Sequence, residues 1–165
     1  MIVIGIDPGT ATTGYGIIEE NKDGDFRTIE FGVISTAARQ PLENRLKTIY
    51  DQITSLILLH KPQSGAVEKL FFKQNVTNAI AVGQARGVVL LAMVMNGVDV
   101  YEYSPSEVKS AISGYGNAEK SQVQAMVKAI LGLDDIPRPD DAADALAIAI
   151  CHLNSSGIIS LRSEG

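Results

Sequence analysis

The chain has no tryptophan, one cysteine and two histidines in 165 residues. With Cys151 alone there is no internal disulfide framework, which fits a reducing cytosol. No apolar run approaches the roughly 20 residues of a membrane span, so no membrane partner is expected. The longest run, Val88 to Val94, sits inside a helix-like pattern. No basic segment precedes the apolar opening Met1 to Ile6, so a signal peptide is not expected. Positive charge is scarce as well: 14 Lys and Arg stand against 19 Asp and Glu, for a net charge of −5. Taken whole, that deficit argues against a phosphate-rich partner.

What is present suits one globular domain. The sequence is 45% hydrophobic and 20% charged, enough to bury a core. The expected division is a single domain over 1–155 and a short tail over 156–165. Ile2 to Ile6 reads as a buried strand stopped by Asp7-Pro8-Gly9. Thr12 to Glu20 and Phe26 to Ile34 read as strands joined by the turn cluster Asn21 to Asp25, giving an antiparallel meander. Apolar residues then recur at helical spacing from Pro41 to His60, and Pro62 ends that helix. Ser64 to Glu68 and Val98 to Tyr103 read as strands, with a helix over Asn75 to Asn96 between them. Ser104-Pro105 is a helix start, N-cap followed by proline. Further helices are expected over Ala118 to Leu131 and Asp141 to Leu153. Strands first, then strand–helix alternation, predict an α/β fold: a five-stranded mixed sheet flanked by helices.

Four acids stand out by position. Asp7 ends the first strand and Glu68 ends the fourth, and ligand sites of α/β sheets gather at the carboxyl ends of strands. Asp141 and Asp144 are three apart, so they lie about 60° apart around a helix. Alanines flank them and allow that helix close to the sheet. Carboxylates gathered in this way repel unless a cation sits among them. Oxygen ligands without a His or Cys cluster favour Mg²⁺ over Zn²⁺. Three of these acids also have a plain structural role open to them; Asp144 is the exception, since it begins the apolar run Ala145 to Ile150 and an acid facing a core needs a partner. Asp7 could organise a turn, Asp141 could serve the start of a helix, and Glu68 could pair with a base.

Five segments carry a resemblance. They are Ile4-Gly5-Ile6-Asp7-Pro8-Gly9-Thr10 with Thr13-Gly14-Tyr15-Gly16, Val67 to Phe72, Val82 to Gly87, Ala118 to Val123, and Asp141 to Ala147. In this order, across Ile2 to His152, they resemble the RuvC family of Holliday-junction resolvases. The resemblance implies a ribonuclease-H-like fold and Mg²⁺-dependent cleavage of four-way DNA junctions by paired symmetric nicks in recombination and repair. It implies two ions per site, with Mn²⁺ as a substitute. It also implies a homodimer working with the RuvA and RuvB branch-migration proteins in the cytoplasm. The family's catalytic, metal-holding acids fall on Asp7, Glu68, Asp141 and Asp144. Its active-site lysines fall on Lys109 and Lys120, and its stacking aromatic falls on Phe71. Phe72, Lys73 and Arg86 complete the expected DNA-facing set.

Small residues at Ala79, Gly83 and Gly87 would let the long helix meet another helix, of this chain or of a second subunit. Two other readings stay open. Asp7-Pro8-Gly9-Thr10 with Gly14 and Gly16 also resembles the phosphate hairpin of the actin, hexokinase and heat-shock ATPase group, and a ribonuclease H acting on RNA–DNA hybrids shares the expected core. Charge distribution also reopens the question of a nucleic-acid partner. Residues 61–128 hold seven bases against five acids, and four of the chain's acids are the expected metal ligands.

Overall fold

The apolar run at the start of the chain becomes the central strand of a five-stranded sheet. The computed structural model describes residues 1–69 and 76–163. Strands β1 (Ile2–Asp7), β2 (Thr12–Glu20) and β3 (Phe26–Ser35) form the expected antiparallel meander. Helix α1 (Leu42–His60) crosses to β4 (Ser64–Glu68), and α2 (Val76–Met95) crosses to β5 (Asp99–Tyr103). Both crossover strands run parallel, so the sheet order is β3-β2-β1-β4-β5. Helices α3 (Pro105–Ser113), α4 (Lys120–Leu131) and α5 (Asp140–Ser163) complete the chain.

The central strands of the sheet are buried on both faces. Ile4, Ile6 and Ile17 face α1 and α2, meeting Ile49, Ile53, Val89 and Met93. Val3, Ile18 and Ala66 face the other way, toward Leu146, Ala147 and Ile150 of α5 and toward α3 and α4. This two-sided burial explains the continuous apolar run of β1.

Close approach of α5 decides where its acids sit. A β-carbon at Gly5 would overlap the Ala145 carbonyl oxygen, and one at Gly14 would overlap the Asp141 carbonyl oxygen. At Gly16 it would stand 2.8 Å from the Leu146 side chain. Bare backbone on β1 and β2 therefore lets the alanine-rich start of α5 lie directly on the sheet. The acids of α5 are thereby brought to the carboxyl end of β1.

Three expectations change. Helix α5 continues to Ser163, ten residues beyond the expected end at Leu153. Ser155 and Ser156 donate to the carbonyls of Cys151 (2.8 Å) and His152 (2.9 Å), so these turn-favouring side chains are satisfied inside the helix. Helix α4 starts two residues later than expected, after Glu119. Within α2, Asn78–Met95 is long and apolar enough to cross a membrane by length and composition, contrary to the expectation that no segment comes close. Glycines, alanines and one arginine interrupt its apolar residues, which hid its length as a run. Its inner face (Ala85, Val89, Ala92, Met93) packs on the sheet, while Ile80, Leu91, Val94 and Met95 are exposed. Helix α3 starts as read: the Ser104 hydroxyl accepts from the Glu107 N–H, and the Glu107 carboxylate accepts from the Ser104 N–H.

Candidate active site

β1 and β4 are parallel neighbours, with Ile6 opposite Val67. Asp7 and Glu68 therefore leave the sheet side by side at its carboxyl edge. Asp141 and Asp144 come down on them from the first turns of α5. Ligand oxygens of Asp7, Asp141 and Asp144 lie within 4.8 Å of one another. Glu68 borders the same space in a pocket of about 220 Å³, shared with Asp144, Lys109, Lys120, Pro105, Val108, Val123 and Ala147.

The electrostatic cost of this grouping falls mainly on Asp7. Burial, then the charges of Asp144, Glu68 and Asp141, push its carboxyl up to about 7 from an ordinary 3.8. Burial and the Asp144 charge raise Glu68. Burial also raises Asp144, against the pull of Lys120. These are the conditions in which a bound cation favours the ionised form of every acid at once. The donor set consists of carboxylate oxygens, with no His or Cys among them, which suits a hard divalent ion. Four acids held in this way fit the group expected there.

The bases occupy distinct places. Lys120, at the first turn of α4, donates to Asp144 (3.1 Å) and pairs with Asp140 (3.4 Å). Burial lowers the Lys120 ammonium, but these carboxylates outweigh it and the net shift is upward. Lys109, on α3, lines the pocket, and its charge favours ionised Glu68. Arg86 is committed elsewhere: it pairs with Glu102, and its Nε donates to the Glu68 carbonyl at 3.4 Å. It supports the end of β4 and does not present a free cation. Phe71, Phe72 and Lys73 lie outside the described residues.

Sequence reading missed the supports of Asp140. This residue accepts from Gln124 (3.1 Å) and Arg138 (3.0 Å), and it shares Lys120 with Asp144. Hydrogen bonding from Gln124, then the Lys120 charge, lowers its carboxyl. Gln124 is a buried polar residue on the apolar face of α4. That mismatch of pattern was the available signal.

A meander followed by two parallel crossovers, with acids at the ends of β1 and β4 and on a helix laid across them, defines the ribonuclease-H-like class. The family model for crossover junction endodeoxyribonuclease RuvC matches residues 3–152. A crossover junction endodeoxyribonuclease RuvC of Caldicellulosiruptor saccharolyticus is 48% identical over 164 residues, covering 99% of each chain. The solved Thermus thermophilus RuvC structure is 38% identical, with a TM-score of 0.90 over 96% of both chains. The structure of T. thermophilus RuvC in complex with a Holliday junction substrate is 35% identical, with a TM-score of 0.88 over 96% of both chains. This chain belongs to the RuvC family of crossover junction endodeoxyribonucleases.

Proposed function

We propose that the protein resolves four-way DNA junctions by paired, symmetric, Mg²⁺-dependent nicks during recombination and repair. The observation that carries this reading is the four-carboxylate group at the meeting of β1, β4 and α5, in a chain matched to RuvC along its length. Asp7, Glu68, Asp141 and Asp144 would hold two ions, with Asp7 at the centre of the group. Glu68 would serve the leaving side, and Asp141 and Asp144 the attacking side. When bound, Mg²⁺ (or Mn²⁺ in its place) supplies an activated water and charge stabilisation for phosphodiester hydrolysis.

The protein's own groups do the rest. Raised proton affinity at Asp7 makes cation binding and proton release one event near neutral pH. Lys109 reaches the same pocket from α3 and is placed to face charge developing on the phosphate. Lys120, tied to Asp144, holds that carboxylate and adds positive potential at the rim. Phe71 is proposed to stack on an unpaired base at the crossover, with Phe72 and Lys73 beside it on the same segment. Arg86 is proposed to act on DNA through the backbone position of Glu68.

A homodimer supplies the two sites that paired nicks require. Support comes from α2, whose outer stripe of Ile80, Gly87, Leu91 and Val94 is exposed. Among the described residues, a β-carbon at Gly87 would meet nothing within 4 Å. At Gly87 the helix is thus open to a second copy. RuvA and RuvB are the proposed partners in the cytoplasm, on the family resemblance. The test is Asp7→Asn with a synthetic junction and Mg²⁺. Retained binding with lost nicking is expected, and undiminished nicking would overturn the reading.

A further inference from the structure

A second cleft, of about 540 Å³, opens from the Asp141 side of the acid group. The pocket of Lys109 and Lys120 lies on the Glu68 side. The walls of the second cleft are the β1–β2 turn (Gly9 to Thr12), the start of α1 (Leu42 and Arg45) and the start of α2 (Asn78, Ala81 and Val82). Its base is Arg45. The Arg45 Nε donates to the Thr36 hydroxyl at 2.8 Å. That hydroxyl donates to the Thr10 carbonyl at 2.5 Å, and the Thr10 hydroxyl donates to the Ala81 carbonyl at 2.8 Å. Thr10 and Thr36 are both buried. One chain of hydrogen bonds therefore ties α1, the turn and α2 together and fixes the guanidinium at its end.

The kind of anchor matters. Arg27, Arg86 and Arg138 are each paired with a carboxylate. Arg45 is held by a neutral hydroxyl, and no carboxylate pairs with it among the described residues. Of the five N–H groups of a guanidinium, the bond to Thr36 uses the one on Nε. The two terminal nitrogens keep four donors in the planar fork that fits a phosphate. The cleft thus offers an oriented cation, paired with no carboxylate among the described residues, beside the place where a phosphodiester would be cut.

A strand threaded past the acids must leave the site on both sides. Lys109 and Lys120 serve one side. We propose that the second cleft carries the cleaved strand away on the other, and that Arg45 is a positioning residue that grips a phosphate flanking the scissile one. Asp141 on the cleft wall repels such a strand, so the grip is strongest with cations at the acid group. This inference rests on the junction-cleaving reading above.

The test measures junction binding in the Asp7→Asn background with Mg²⁺, and cleavage in the otherwise native full-length chain. Arg45→Gln is expected to weaken binding about tenfold and to reduce the slope of log K against log salt by about one. Single methylphosphonates, which neutralise one phosphate at a time near the cut, should reproduce the loss at one or two positions. At those positions the loss should vanish in the Arg45→Gln protein. Unchanged affinity and slope, or losses that add in full at every position, would overturn the inference. Asn78→Asp, an exposed change on the facing wall, should also weaken binding severalfold. It decides the matter if Arg45→Gln fails to fold, and unchanged affinity would again count against the proposal. A wild-type protein that cuts junctions while Arg45→Gln binds and cuts equally well overturns this inference alone. A wild type that neither binds nor cuts them overturns the reading beneath it.

Discussion

Replacing Asp7 with asparagine should stabilise the metal-free protein while removing its activity. Asp7 is pushed from 3.8 to about 7 by burial and by its three acidic neighbours. Between those values the folded state holds a proton that the unfolded state has released. Stability therefore falls as pH rises from about 4 to about 7, and the full cost is present above 7. At about 1.4 kcal/mol per pH unit, the ionised carboxylate costs roughly 4 kcal/mol. Asparagine must also be desolvated and the site relaxes around the charge, so about half, near 2 kcal/mol, is expected to be recovered. For a chain of this length that is a rise in melting temperature of about 4–8 °C. The assay is thermal unfolding at pH 8 in EDTA and at pH 5 in EDTA, then at pH 8 with Mg²⁺. The variant should melt higher than wild type at pH 8, with the gap shrinking at pH 5. Mg²⁺ should raise the wild type more than the variant. A variant that melts at or below wild type in EDTA at pH 8 would refute the argument that the acids are held against their own repulsion.

Other consequences follow from packing and burial. Gly14→Ala would drive a methyl into the Asp141 backbone. It should cost about 1–3 kcal/mol in denaturant unfolding and weaken Mg²⁺ binding in the same protein. Stability without change would mean that α5 does not rest on the sheet there. His152 is buried between the Ser64 hydroxyl (2.7 Å) and the Tyr103 hydroxyl (2.9 Å), and burial lowers its pKa. Its contribution is present above about 6.5, its ordinary value, and fades as pH falls. His152→Phe strands two hydroxyls and should cost about 2 kcal/mol at pH 7 and less at pH 5. A gap independent of pH would contradict a buried neutral imidazole. Leu91→Glu, on the exposed stripe of α2, should turn a dimer into a monomer in sedimentation and leave the melting temperature of dilute protein within a few degrees. A wild type that sediments as monomer at micromolar concentration would contradict the dimer.

Much of the fold was legible because each signal was local. The apolar run of β1, the turn clusters, the helical spacing of α1 and the Ser104-Pro105 start each declare one element. The sheet's parallel half followed from strand–helix alternation. The end of α5 was misread because Asn154-Ser155-Ser156-Gly157 has the composition of a loop, whereas the serines bond back into the helix. The acid group was legible as strand-end and helix-start positions. Its closeness was not, because it depends on the absence of side chains at Gly5 and Gly14, which are far in sequence from the α5 residues that pack on them. Arg86 looked like a free base because its partner, Glu102, is 16 residues distant and on another element. Nothing in the sequence singles out Arg45, because Thr36, Thr10 and Ala81 of its hydrogen-bond chain come from three separate segments.

The central claim is that the four acids form a metal-dependent site for cutting junction DNA. The direct measurement is cleavage of a synthetic four-way junction, with the nick positions mapped on all four strands, in Mg²⁺ and in EDTA. Paired nicks, symmetric about the crossover, are expected in two strands of like polarity with Mg²⁺, and none in EDTA. Equal cutting in EDTA, or cutting of an RNA–DNA hybrid in place of the junction, would contradict that claim.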